Sequence, residues 1–443
     1  MKTTKKVTLP IIFFIFFMGL LLNIPAKISY EGVADIDWWS NDILLTDLMR
    51  YEDYGSEDLF LYSVTPSMLC PKDANQAYGE IRKMFIDNMS FDKNYYKQYT
   101  SNIVLQRYLF RGLIKILPIS REAFLHFLYI FYCLLASAVL TLLFYWIIDI
   151  AGSRVSIISS IVLALICPYF AAWGRNLYWS MWSMFFPIAM MSYIAAKGGI
   201  KKSITAKEKA VIFITAFVSC GIKMAVCFEF MTSVMVAMTI PIFYVCIKDE
   251  FSLKETIKNF IWSFFGAIAS FITIFGIKTY MLIRQYGLYE MLNITNYNLG
   301  RRLFGTVDSG IESLGPIKTT ILMCSKEFIS IKGCFKINFS FAVLLCLTLS
   351  IYMILYKKVI YPLSGIQFKY NEQDRRFFAL QMSTSISILG PLSWFILAAP
   401  HTTIHNQFAT INWFVPFGIL WIVCLIMAVE KICNLVKTGR RNE

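Results

Sequence analysis

Charged side chains are scarce in this sequence: Asp, Glu, Lys and Arg make up 16% of its 443 residues, and His occurs only three times. With 57% of the chain hydrophobic, too little polar surface remains to clothe the two or three water-soluble domains that this length would otherwise suggest. Also missing are a glycine-rich phosphate loop, a Gly-x-Ser-x-Gly elbow and a His-Glu-x-x-His helix, so the common soluble enzyme classes find no motif here. No internal repeat, low-complexity tract or Gly-Ser linker is present, and nothing points to the paired halves of many secondary transporters.

What the chain has instead is a series of long apolar runs. Ten reach the length needed to cross a hydrocarbon core about 30 Å thick, near 7–24, 123–149, 155–172, 177–196, 210–222, 225–247, 259–281, 337–356, 377–398 and 410–430. Such runs exclude a membrane β-barrel, whose strands are short and alternating. The expected fold class is an all-α polytopic membrane protein of about ten transmembrane helices with irregular or helical extracytoplasmic loops. Its expected parts are a first membrane helix (1–24), a loop with amphipathic helices (25–121), helices two to seven (122–282), a second loop (283–336), and helices eight to ten with a tail (337–443). Within the first loop, Ile43 to Met49 is expected as a short helix lying on the membrane, and Asn94 to Leu117 as an amphipathic segment. Five glycines between Gly287 and Gly315 predict an irregular cover over the bundle in the second.

The net charge of +14 does not indicate nucleic acid, because Lys and Arg stand in short clusters at the ends of apolar segments rather than in one patch. Lys2, Lys5 and Lys6 precede the first run, and 197–209, 357–376 and 431–441 carry five, five and four basic residues. By the positive-inside rule these lie in the cytoplasm with both termini, and loops 25–121 and 283–336 lie outside. Most of the eleven cysteines fall inside apolar segments; only Cys70, Cys324 and Cys334 are placed where an oxidising compartment would pair them, and free thiols are the expectation.

Nine carboxylates between Glu31 and Asp58 face a single Arg50. The distal ones read as a solvated acidic loop, but Glu31, Asp35 and Asp37 directly follow a membrane helix, beside Trp38 and Trp39, which favour the interface. A carboxylate there, tuned by partial burial, suits a proton acceptor, with Asp37 first and Asp35 second. An Asp-x-Asp pair also admits a divalent metal, while a nucleotide is disfavoured on the outer side. In the turn Trp173 to Trp179, Arg175 can grip a phosphate or simply snorkel to lipid headgroups, with Asn176 and Tyr178 beside it. Glu229 is expected inside a membrane span, where an ionisable group is costly and serves either function or a helix-to-helix hydrogen bond; Lys223, six residues away, falls on another helical face. His401 and His405, four residues apart, are placed to bind a phosphate, and as a metal pair they lack a third ligand.

The stretch Tyr99 to Gln106, the turn Arg175 to Trp179, Phe228-Glu229, and His401 to His405 followed by Trp413 to Phe417 resemble, in the same order, stretches of bacterial polytopic membrane proteins of surface polysaccharides. These in turn are similar to the GT-C class of lipid-phosphosugar-dependent glycosyltransferases, including phage-carried O-antigen glucosyltransferases. Gln407 and Ala409 depart from the pattern, where His and Asn are common. The resemblance implies a bacterial inner membrane location, an undecaprenyl-phosphate-linked sugar donor and a lipid-linked polysaccharide acceptor. It also implies a base at Asp37 or Asp35 and a donor-phosphate contact from Arg175; beside these, the residues themselves offer Glu31 and Glu229 as further catalytic candidates and Lys223, His401 and His405 as further phosphate contacts. Candidate substrate contacts are Trp38, Tyr178, Asn176 and Gln106. A polysaccharide polymerase, kept open by Arg301-Arg302, and a lipid-linked sugar translocase, with Asp149, Lys278 and Glu229 as its marginal support, are the alternatives. Replacing Asp37 and Asp35 with Asn is expected to abolish sugar transfer without loss of expression; near-normal transfer in both variants removes the proposed base.

Overall fold

The computed structural model of the chain describes residues 2–25, 38–55, 58–64, 74–304, 314–331, 334–357 and 371–439. Glu31, Asp35, Asp37 and Cys70 lie outside the described residues, as does the side chain of Trp38. The protein is an all-α polytopic membrane protein. By length and composition seven described helices can cross a membrane: Thr4–Leu22, Arg121–Ile166, Ala206–Val226, Met231–Lys248, Leu253–Leu303, Glu372–Leu397 and Phe417–Asn434. Two shorter apolar helices, Met181–Ala196 and Phe339–Leu355, accompany them. Cys324 and Cys334 are free thiols, like the other described cysteines.

Local sequence sets the helix ends. Thr205 and Ser252 each accept a hydrogen bond from the backbone of the Glu three residues on, whose carboxylate reaches back, so both helices start with reciprocal caps. Gly152 divides the 46-residue helix Arg121–Ile166 at φ 85°, ψ 169°, a conformation closed to residues with a Cβ, and the break falls between two of the apolar runs marked in the sequence. The helix Lys2–Leu22 packs along this element, closely enough that Gly19 lies against Ala164.

The irregular cover expected over 283–336 is not found in its first part. The helix starting at Leu253 runs on to Leu303, broken only at Gly287 (φ 81°, ψ 170°). Beyond that break no proline and only Gly300 interrupt the sequence, so the redirected chain stays helical. A helix Pro316–Cys324 and an antiparallel pair of strands, Glu327–Ile331 with Phe335–Asn338, follow.

The described parts of 38–116 are likewise more ordered than a membrane-surface loop. Ile43 to Met49 falls inside the helix Trp38–Tyr54, but Leu44, Leu45, Leu48 and Met49 are buried in the main core instead of lying on lipid. The strand Leu61–Val64 pairs antiparallel with Tyr96–Tyr99, and the helices Ala74–Ile86 and Gln106–Ile116 complete the segment. One carboxylate organises it. Asp47 accepts Arg111 Nε at 3.0 Å and Nη2 at 2.8 Å, takes the backbone N–H of Tyr62 at 3.2 Å, and stands 3.4 Å from Arg107. Arg107 and Asp47 are almost wholly inaccessible, so each depends on the other's charge. Asp47→Ala is expected to cost about 3–5 kcal/mol, the typical penalty for stranding a buried partner, seen as a large drop in melting temperature in detergent. An unchanged melting temperature would show that the network carries no net stability.

Candidate functional site

Four segments that the sequence reading singled out come together at one end of the bundle. The chain after the strand Tyr96–Tyr99 supplies Ser101, Asn102 and Gln106; the turn after the 3₁₀ helix Ala172–Arg175 supplies Tyr178; the short link between Ala206–Val226 and Met231–Lys248 supplies Glu229; and Ala399–Ile404 supplies His401. Asn102, fully buried, donates from Nδ2 to the Tyr178 hydroxyl at 2.6 Å and accepts the backbone N–H of Phe228 at 3.0 Å. Tyr178 in turn donates to Tyr99 at 2.9 Å. Gln106 Nε2 donates to the Tyr178 carbonyl at 2.9 Å, so its amide braces the turn.

Glu229 does not lie inside a membrane helix, as the sequence had suggested; it occupies the break between two of them. No glycine or proline marks that break; a tertiary bond, the Asn102 contact just described, and a local one, Lys223 Nζ donating to the Cys227 carbonyl at 2.6 Å, hold it instead. Lys223 and Glu229 are therefore not on one helix at all. The Glu229 carboxylate, 3% exposed, accepts Arg302 Nη2 at 2.8 Å and Nε at 3.2 Å on one oxygen. His401 Nε2 stands 3.1 Å from the other, at ion-pair distance but off hydrogen-bonding geometry. Burial alone would raise this carboxyl, but the Arg302 guanidinium and His401 outweigh it and hold Glu229 well below the usual carboxylate range. The His401 and His405 rings lie 4.7 Å apart, edge to face.

Backbone strain gathers around the same end. Val104, Ser180 and Phe230 have φ of 56°, 52° and 60°, which costs on the order of 1–3 kcal/mol per residue and persists only where the surroundings enforce it. Each flanks a site segment.

Two clefts open beside this network. An apolar one of about 240 Å³ has Phe228, Met231, Phe275, Leu299 and Trp394 among its walls, with Lys278 and Arg302 set into them. Lys278 Nζ donates to the Ser101 carbonyl at 2.7 Å, and as an ammonium it keeps two further N–H donors. A polar cleft of about 380 Å³ is lined by Gln98, Tyr99, Thr100 and Ser101 on one side and by the helix 288–303 on the other. The clefts share Ser101 and Asn298, whose side chains meet at 3.2 Å.

Of the predicted site residues, Glu229, His401, His405, Tyr178, Lys223 and Gln106 are brought into this region, though none of them lines either cleft. Arg175 and Asn176 end the neighbouring 3₁₀ turn, where Asn176 Oδ1 accepts the Trp179 N–H at 2.7 Å; they line neither cleft. The sequence reading missed Glu290, Asn293 and Asn298 as site residues, because it placed them in an irregular loop. The recurrence of Glu290, Asn293, Ile294, Tyr297, Asn298 and Arg301 at three- and four-residue steps was the available signal. Among the described residues no group of three or more His, Cys, Asp or Glu is placed to hold a metal ion. No protein-family model, curated protein or solved structure matches the chain.

His405 gives the site a measurable acid limit. Burial, and then His401, hold its imidazole down at about 3, against 6.5 for the free side chain. The folded state thus refuses a proton that the unfolded chain accepts, so stability is complete above about pH 6.5 and falls as pH drops toward 3. His405→Gln is expected to flatten the fall in melting temperature between pH 7 and 5; an unaltered slope would assign that fall to other groups.

Proposed function

We propose that the chain is an integral membrane glycosyltransferase that moves a hexose, with glucose as first choice, from a polyprenyl phosphate to a lipid-linked surface polysaccharide such as O-antigen. The observation that carries this reading is the apolar cleft with two cations in its wall. Aromatic and aliphatic side chains suit a prenyl tail, and Lys278 and Arg302 offer N–H donors to a phosphate at its head. Arg302 is preset for this, since Glu229 fixes its guanidinium from behind.

The reaction needs no nucleotide. An acceptor hydroxyl attacks the anomeric carbon, the bond from that carbon to the phosphate oxygen breaks, and the electron pair leaves on the polyprenyl phosphate, whose charge the two cations stabilise. The proton goes to a carboxylate, for which Asp37 and Asp35 are the proposed acceptors. Sidedness follows from charge. The pairs Lys5–Asp149, Arg154–Glu430 and Lys431–Asp374 gather at the helix ends away from the site. With the basic loops in the cytoplasm, the site faces outward, across a bacterial inner membrane.

Purified protein in lipid, given polyprenyl-phosphate glucose and a lipid-linked O-antigen acceptor without nucleotide, is expected to add one hexose, read by mass spectrometry. Lys278→Met should raise the donor KM about tenfold, the worth of one charge-assisted contact. Acceptor joined to acceptor would indicate a polymerase, and labelled lipid crossing between leaflets with no covalent change would indicate a translocase; either outcome sinks the transferase reading.

A further inference from the structure

The polar cleft has a use that the donor does not fill. Its one wall is a single helical face: Glu290, Asn293, Ile294, Tyr297, Asn298 and Arg301 follow the three-and-four spacing of residues stacked on one side of a helix. The next face of the same helix, with Thr295, Leu299, Arg302 and Leu303, lines the apolar cleft. The helix beyond Gly287 is thus a partition, polar on one side and apolar on the other, and Asn298 sits on the seam.

Resting on the reading of a membrane glycosyltransferase, we infer that the polar cleft is the binding site for the acceptor, an oligosaccharide longer than one pyranose ring. The lining is amides, hydroxyls, one carboxylate and one guanidinium, which offer paired donors and acceptors to sugar hydroxyls. Tyr297 is 48% exposed, an open aromatic face against which a ring's C–H surface packs. A second and independent sign is Asn298. It is 6% exposed, its Oδ1 accepts from Ser101, and its Nδ2 has no hydrogen-bond partner among the described residues. A buried amide donor left unmade costs free energy that a ligand hydroxyl would return.

Length argues for more than one ring. Glu290 and Arg301 are eleven residues apart, about 16 Å along a helix, and both line the cleft. Asn293 Nδ2 donates to Glu290 Oε2 at 3.2 Å, which orients the carboxylate at its end. Because Ser101 and Asn298 belong to both clefts, the middle of such a chain lies beside the wall that separates it from Lys278 and Arg302. The acceptor hydroxyl is thereby delivered next to the donor's phosphate.

The test is direct binding without donor. Full-length protein in nanodiscs is titrated with linear tetrasaccharides of glucose, galactose and rhamnose, and with the corresponding monosaccharides, by calorimetry. At least one tetrasaccharide is expected to bind ten times or more tightly than its monosaccharide. Tyr297→Ala and Glu290→Gln should weaken it at least fivefold with melting temperature unchanged. Leu299→Trp, which fills the apolar cleft, should leave that binding intact while raising the KM for polyprenyl-phosphate glucose. Absence of saturable tetrasaccharide binding, or binding indifferent to Tyr297 and Glu290, overturns the acceptor site. Hexose transfer measured on the same sample separates the two readings: transfer without cleft-dependent binding leaves the transferase and removes this site, whereas cleft-dependent binding without transfer keeps the site and removes the transferase.

Discussion

The geometry of the candidate site depends on one buried carboxylate. Glu229 lies in a four-residue break between two membrane helices and holds Arg302, 73 residues further along the chain, while His401 closes on its second oxygen. In surroundings of low dielectric an unpaired guanidinium or carboxylate is costly, and breaking such a pair by removing one member typically costs about 3–5 kcal/mol. The pair therefore fixes more than its own two residues: it sets where the helix 288–303 ends relative to the link 227–230 and to Ala399–Ile404. Three strained residues, Val104, Ser180 and Phe230, stand beside the segments so tied, and the polar bonds of Asn102 and Tyr178 are what hold them there.

Gly287 is the second determinant. With φ at 81° it turns a helix of span-like length into one whose last sixteen residues separate two clefts of opposite character. The successive residues Arg301 and Arg302 show the consequence, since a step of about 100° around a helix sends one guanidinium to the polar cleft and the next to the apolar one. A cation facing amides and hydroxyls and a cation facing hydrocarbon have different tasks, although nothing in the dipeptide itself distinguishes them.

How much of this was legible follows from what each signal measures. Hydropathy over twenty residues reports burial in lipid or protein, and it located the long helices; it is blind to a break such as Cys227–Phe230, where one Glu among apolar residues barely lowers the average and the backbone is diverted by Asn102 from 126 residues away. The helix over Ile43 to Met49 was legible from its pattern, but its burial was not, because the Asp47 network that draws it inward pairs residues 64 apart. Glycine was read as irregularity across 283–336, whereas one Gly at positive φ is a hinge between two good helices. The stretch Tyr99 to Gln106 was singled out only through its resemblance to other proteins; that it meets Tyr178 and Phe228 depends on the buried amide of Asn102, whose partners lie 76 and 126 residues away. The acidic residues ahead of Trp38 lie outside the described chain and enter only through the sequence.

The distribution of charge bears on what kind of machine this is. A path through a membrane needs polar groups at successive depths, as in the relays and ion sites of carriers. Here the pairs form two layers. Lys5 takes up Asp149 at 2.6 Å in the first turn of the N-terminal helix, and Arg376 donates to the Asp149 carbonyl at 2.8 Å, so Asp149 belongs to the basic end. Leu20, near the other end of that helix, packs against Gly174 beside the site turn, and there Glu229, Arg302, Lys278 and His401 are collected. Between the layers Ser137 bonds back to its own helix at the Cys133 carbonyl, while an uncharged cluster joins neighbouring helices, Gln381 Nε2 donating to Ser350 at 2.9 Å and Ser350 meeting Ser385 at 2.6 Å. Among the described residues the charges of the candidate site are thus collected at one end of the bundle, apart from the pairs Lys5–Asp149 and Lys431–Asp374 at the other.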